Sequence, residues 1–341
     1  MDVKNAFLYE DLQEEVYMQL PPGSSQANDG MVCRLHKAIY RLKQYPRAWY
    51  AKLSYMLEAT SFIRSNIDSP LFIRKGLDGL LVVLIYVDDI IITGENEIEI
   101  EALKQSLNHI FAIKDLGRLK YFLYIEMATS QKGLFINQRK YVMDLLIEAE
   151  LLNCKLAAIP LDSKLKLDID GEFINNLSHY QRLVGKLIYL TITQLDITYV
   201  MSLVSQFMHA PSVKHLLIAK RILSYLKGSI ARGILMKNNH FTQINGYMDS
   251  DWAGNLIDRK STTGYFTFVG GNLVTWKSKK TASYCTEAEY CAMTLTTSEL
   301  ICLKGLLSDL GLFSITSMSM MCDNQAAMHI VVNPVFHERT K

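Results

Sequence analysis

Residues 79–94, GLLVVLIYVDDIIITG, constrain this chain more than any other stretch. Leucine and β-branched side chains dominate them, a glycine bounds each end, and Asp88 and Asp89 interrupt the apolar run. Two short strands joined by a tight turn are the expected structure, with two adjacent carboxylates at the tip. Those charges also leave the run short of the roughly 20 apolar residues needed to cross a bilayer, so no membrane partner is expected. Adjacent like charges on an apolar hairpin repel each other and resist leaving water. An exposed turn satisfies them; so does a bound Mg²⁺, which takes oxygen ligands and leaves room for substrate phosphates.

The surrounding pattern is that of a compact α+β unit over residues 1–130. Pro46 is a good first helical residue, and Trp49, Leu53, Met56, Leu57 and Thr60 recur behind it at helical spacing. A second helix is expected over 98–111, and strands over 121–127 and 133–136. Residues 131–240 read as mainly α, with helices over 141–152, 180–207 and 213–227 and a loop at 160–170. After residue 240 the period changes: strands are expected over 243–248, 263–269, 272–276 and 317–322, with a Gly270-Gly271 turn and a long helix opening at Thr286.

Six cysteines are scattered without a CxxC pair, which indicates neither a zinc site nor a disulfide framework. An intracellular, reduced protein is the expectation. The net charge of +2 hides an uneven distribution. Residues 197–248 contain no acid but carry Lys214, Lys220, Arg221, Lys227, Arg232 and Lys237. Residues 34–52 also lack acids, and there Lys37, Arg41, Lys43 and Arg47 alternate with Tyr40, Tyr45, Trp49 and Tyr50. Both blocks are candidate surfaces for a polyanion, with a solvated helix face as the alternative, and rings beside cations in the second also suit stacking on nucleic-acid bases.

A second set of acids lies at element ends. Asp249 closes a predicted strand in GYMDSDWAG, Glu289 lies in TEAEY at a helix start, and Asp323 follows a strand in MCDNQAA. Converging carboxylates imply a divalent metal. The alternatives are local: Asp249 or Asp251 as a turn residue, Asp323 as a helix cap, and Glu289 as the last member of a Thr286-x-x-Glu289 capping box.

YVDD at 86–89 between apolar strands resembles the YxDD hairpin of reverse transcriptases, and its surroundings are similar to the copia-type retrotransposon Pol polyprotein family. The resemblance extends to MDVKNAFLYEDLQEEVYMQLPPG at 1–23, AIYRLKQYPRAWY at 38–50, KDLGRLKYFL at 114–123, LVGKLIYL at 183–190, RKSTTGYFTFVGGNLVTWKSKK at 259–280 and NPVFHERTK at 333–341. It implies an α+β chain with three regions. These are a partial reverse transcriptase palm at 1–130, an antiparallel sheet with helices; a mainly helical thumb or connection at 131–240; and an α/β ribonuclease H-like domain with a mixed sheet at 241–341. The fingers and a fourth acidic ligand would lie beyond the two ends.

The resemblance also implies site residues. Asp2, Asp88 and Asp89 would be the palm carboxylates, and Asp249, Glu289 and Asp323 those of the ribonuclease H site, each set catalytic and each binding two Mg²⁺, with Mn²⁺ as a substitute. Phe7 would lie beneath the incoming sugar, and Lys43, Gln44, Arg47 and Tyr86 would contact nucleotide or template. His337 and Arg339 would lie on the substrate side. The implied partners are an RNA template, a DNA primer, deoxynucleoside triphosphates and an RNA-DNA hybrid. Arg41 and Tyr124 stand where the family has glycines, which favours the alternative of an inactive relic retaining nucleic-acid binding. An unrelated metal-dependent nuclease would account for the second set of acids but not for the hairpin.

Overall fold

The computed structural model describes residues 1–3, 11–20, 23, 31–37, 39, 45–76, 79–161, 171–251, 260–280, 285–312 and 317–333. It forms two compact units, one of residues 1–119 with 305–312, the other of 120–304 with 313–341. The regions expected at 131–240 and 241–341 thus fall largely within the second unit.

The first unit is built on a six-stranded antiparallel sheet. Its order is Ile63–Arg64, Leu71–Gly76, Gly79–Tyr86, Asp89–Gly94, Asp2–Val3, Ile113–Lys114. The period of two is plain in Gly79–Tyr86, where Leu81, Val83 and Ile85 are buried. Those side chains meet Trp49, Leu53 and Leu57 from the helix Tyr45–Ala59, and Leu103 and Leu107 from the helix Glu97–Ile110. Asn96 starts the latter helix by accepting the Ile98 N–H at 2.8 Å, satisfying a donor that the first turn would otherwise leave unpaired. The hairpin lies where its apolar run and bounding glycines put it, and both helices lie where the periodicity puts them.

In the second unit Tyr121–Phe122, Ile125–Ser130, Gly133–Asn137 and Gly233–Met236 form a four-stranded antiparallel sheet. The helices Arg139–Glu148, Leu177–Leu190, Thr198–Val204 and Val213–Gly228 share one core, centred on Leu146, Leu187, Val204 and Leu223. A second four-stranded sheet has the order Asn272–Lys280, Thr262–Val269, Ile244–Asp251, Ser319–Met321, its last pair parallel. The long helix Cys285–Asp309 packs on it through Ala292 and Met293. No helix among the described residues is long and apolar enough to cross a membrane.

Two expectations are corrected. The strand expected over 121–127 is broken at Leu123 and Tyr124, both left-handed, with φ of 47° and 63°. Non-glycine residues there cost on the order of 1–2 kcal/mol each. The Tyr189 hydroxyl donates to the Leu123 carbonyl, and the Tyr124 ring lies 5.1 Å from that of Tyr141, so side-chain contacts hold a turn that the residue types do not signal. The helix expected over 180–207 stops at Leu190 and resumes after a 3₁₀ turn. In the break, buried Thr193 donates to Gln138 at 2.9 Å and Gln194 to the Arg232 carbonyl at 3.1 Å. Such side-chain bonds compete with helical ones.

Candidate active sites

The first site is the hairpin tip. Tyr86 pairs with Asp89, so Val87 and Asp88 form the turn. Val87 is left-handed, with φ of 52°, an unfavourable state for a β-branched residue. Two hydrogen bonds hold it: the Trp49 indole N–H donates to the Val87 carbonyl at 2.8 Å, and the Val3 N–H to the Asp88 carbonyl at 3.0 Å. The second of these docks the strand Asp2–Val3 beside the hairpin, with Asp2 directly opposite Asp89. Opposed residues in an antiparallel pair share a face with Cβ atoms roughly 4.5–5.5 Å apart, and like charges there destabilise the pair. Burial, with the Asp2 charge adding to it, pushes the Asp89 carboxyl above its ordinary range. Asp88 is half-buried beside them, and Tyr86 is exposed. Oxygen donors of this kind suit a hard divalent cation, and register brings Asp2 and Asp89 together, but among the described residues the side-chain oxygens of Asp2, Asp88 and Asp89 do not all converge on one point.

Of the remaining predicted contacts, Phe7, Lys43 and Gln44 lie outside the described residues, as do Arg41, His337 and Arg339. Arg47 sits in the first turn of the helix Tyr45–Ala59, its side chain likewise outside.

The second site follows from register. In the parallel pair of Ile244–Asp251 with Ser319–Met321, Tyr247 is level with Met321. Asp249 and Asp323 each lie two residues further on, at the same end of neighbouring strands. Glu289 reaches them from the helix Cys285–Asp309, whose Thr296 and Leu300 press on Gly246: a Cβ there would stand 3.1 Å from both side chains. Gly246 thereby permits the close helix approach that brings Glu289 to the strand ends. One carboxylate oxygen from each of Asp249, Glu289 and Asp323 lies within 4.8 Å of the others.

Asp249 and Asp323 are exposed and Glu289 is buried, its Oε2 shut off from solvent with no hydrogen-bond partner among the described residues. Burial, then the charges of Asp249 and Asp323, push the Glu289 carboxyl above its usual range, opposed by the Ser250 N–H and the Asn324 side chain. A buried carboxylate oxygen without a donor, facing two further carboxylates, fits a divalent cation. Asp251 is turned to another task, accepting the Thr262 N–H at 2.5 Å, which separates it from Asp249.

These shifts have a sign. A folded-state carboxyl raised above its unfolded value binds protons that the unfolded chain has released, so stability falls as pH rises through that interval. Glu289→Gln is therefore expected to raise the urea midpoint of the metal-free protein at neutral pH and to raise it less at about pH 5. It should also reduce the added stability that Mg²⁺ confers on the unaltered chain. Urea melts at both pH values, with EDTA and with Mg²⁺, provide the check.

A cleft of about 670 Å³ opens on the sheet face beside Asp249 and Asp323, walled partly by Tyr199, Tyr247 and Phe266. Sequence reading missed it, although the alternation along 262–269 puts Gly264 and Phe266 on one face. The basic block at 197–248, expected to face a polyanion, is partly committed to partners within the chain: Lys227 donates to the Cys154 carbonyl at 2.8 Å, and Arg232, though exposed, pairs with Asp196 at 3.1 Å.

A family model described as reverse transcriptase (RNA-dependent DNA polymerase) matches residues 1–163. The retrovirus-related Pol polyprotein from transposon RE1 of Arabidopsis thaliana is 38% identical over 346 aligned positions, covering 100% of this chain and 24% of that protein. A putative transposon Ty5-1 protein of Saccharomyces cerevisiae is 30% identical over 308 positions, covering 88% of this chain and 100% of the relative. Among solved structures, the foamy viral protease-reverse transcriptase in complex with RNA/DNA hybrid gives a TM-score of 0.53 at 14% identity, covering 98% of this chain and 39% of that one. The fold is therefore that of a reverse transcriptase. The chain spans about a quarter of the length of the Arabidopsis and tobacco relatives it matches at 36% to 39% identity.

Proposed function

Since this chain belongs to the reverse transcriptase family of copia-type retrotransposon Pol polyproteins, we propose that it carries an RNA-directed DNA polymerase site and a ribonuclease H site. Asp2, Asp88 and Asp89 serve the first, and Asp249, Glu289 and Asp323 the second. The substrates are an RNA template, a DNA primer and deoxynucleoside triphosphates at one site and the RNA strand of an RNA-DNA hybrid at the other. The observation that carries this reading is the convergence of Asp249, Glu289 and Asp323 on a point that each can reach with one oxygen.

In each site the carboxylates hold Mg²⁺ or Mn²⁺, which when bound neutralises phosphate charge and lowers the pKa of an attacking oxygen. The protein's own part is positioning. Val87 and Asp88, pinned by Trp49 and Val3, fix the tip against Asp2, so the acids meet the substrate without rearranging. Tyr86, exposed beside Asp89, offers a ring and hydroxyl to nucleotide or template, together with Phe7, Lys43, Gln44 and Arg47. Glu289, buried and electrostatically strained, binds its cation at the least cost in desolvation, while Asp249 and Asp323 stay open to the phosphate.

The test is a hybrid with a labelled RNA strand. The RNA is expected to shorten with Mg²⁺ and to stay intact in EDTA, the DNA strand surviving in both. Cleavage indifferent to EDTA contradicts the metal site. Salt-sensitive hybrid binding without cleavage under any metal is the outcome for the second reading, a binding-only relic, which the strained Tyr124 turn favours.

A further inference from the structure

We propose that the cleft beside Asp249 and Asp323 binds one unpaired nucleotide of a nucleic-acid strand, its base against the aromatic wall and its phosphate toward the carboxylate end. The inference deepens the ribonuclease H reading, on which its phosphate end rests.

Strand register puts the wall together. Tyr247 pairs with Phe266, and one step along the same face Asp249 pairs with Gly264. The Tyr247 and Phe266 rings are stacked, 5.2 Å between centroids and 15° from parallel, and each is about two-fifths exposed, at 39% and 40%. Tyr199, 52% exposed, faces the cleft from the helix Thr198–Val204. Between wall and acids the floor is missing a side chain. A Cβ added at Gly264 would meet nothing nearer than the Lys277 carbonyl at 3.8 Å, so the glycine relieves no clash inside the protein. A glycine within a strand gives up packing and marks a place where another group approaches the backbone.

The ligand must match a flat apolar surface at one end and carboxylates at the other. A nucleotide does so: its base has a π-face whatever its identity, and its phosphate joins the acids through a divalent cation. The volume of about 670 Å³ suits a ligand of that size. A base inside a duplex has its faces covered by its neighbours, so the nucleotide taken up is unpaired.

Gly264→Val fills the floor with a residue that suits a strand, its Cβ standing at ordinary contact distance, 3.8 Å, from the Lys277 carbonyl. Titration of the whole chain with AMP and Mg²⁺, read by Trp276 fluorescence and by equilibrium dialysis, should show saturable binding. The affinity should fall more than about tenfold in Gly264→Val and about five- to 150-fold in Phe266→Ala, the range for losing one stacking ring. Adenosine, with no phosphate, should bind more weakly and without regard to Mg²⁺. No saturable AMP binding, or both variants binding as the unaltered chain does, overturns the proposal. The two readings separate. Hybrid cleavage without AMP binding removes the cleft and leaves the nuclease. AMP binding lost in Gly264→Val but indifferent to Mg²⁺, without hybrid cleavage, removes the nuclease and the phosphate end while the stacking wall stands.

Discussion

Asp249→Asn is expected to slow Mg²⁺-dependent cleavage of the RNA strand by about a hundred- to a thousandfold, the several kcal/mol that a lost metal contact removes from a charged transition state. The substitution is nearly isosteric. Asparagine Oδ1 can still accept the Ser250 N–H that Asp249 Oδ1 accepts at 2.8 Å, and the eight strand pairings from Ile244 to Asp251 are made by backbone. The fold should therefore persist, and the loss should appear in turnover with hybrid affinity little changed. Gel analysis of RNA cleavage, with circular dichroism as the folding control, reads both. Activity within a few-fold of the unaltered chain would mean that Asp249 holds no metal that matters.

Asp89→Asn should have an effect of similar size on the other reaction. Primer extension on an RNA template is expected to drop by about a hundredfold or more, while RNA cleavage in a hybrid is retained. Asp2, Asp88 and Asp89 all belong to the first compact unit, and Asp249, Glu289 and Asp323 to the second, which makes the losses separable. The same change should stabilise the metal-free protein slightly at neutral pH, because it removes a half-buried carboxylate that faces Asp2. Loss of stability together with both activities would show a folding defect and count against a metal-binding role.

Some of this was legible in the residues alone. The 79–94 hairpin could be read because leucine and β-branched residues crowd a short run bounded by Gly79 and Gly94 and broken by two acids, local signals that need no knowledge of the rest of the chain. The pairing of Asp2 with Asp89 could not be derived that way. It joins positions far apart in sequence through a two-residue strand, and only the resemblance to a family suggested it. The grouping of Glu289 with Asp249 and Asp323 was ambiguous in the sequence for a related reason. A capping box and a metal ligand use the same residue type at a helix start, and the choice depends on how closely the helix approaches the sheet, which Gly246 permits.

What stayed hidden was held by contacts rather than by residue type. Leu123 and Tyr124 carry no turn signal, and the rings and hydroxyl around them keep the bend. The break after Leu190 depends on Gln138, distant in sequence from Thr193. The acid-free block at 197–248 suggested a polyanion surface because composition cannot tell a lysine facing solvent from Lys227, bound to a backbone carbonyl.

The most direct test of the account is anomalous diffraction at the manganese edge from crystals of the unaltered chain soaked in Mn²⁺. Peaks are expected at the point shared by Asp249, Glu289 and Asp323 and at the hairpin tip beside Asp2 and Asp89. Manganese bound only elsewhere, or not at all while these carboxylates remain ordered and in place, would contradict it.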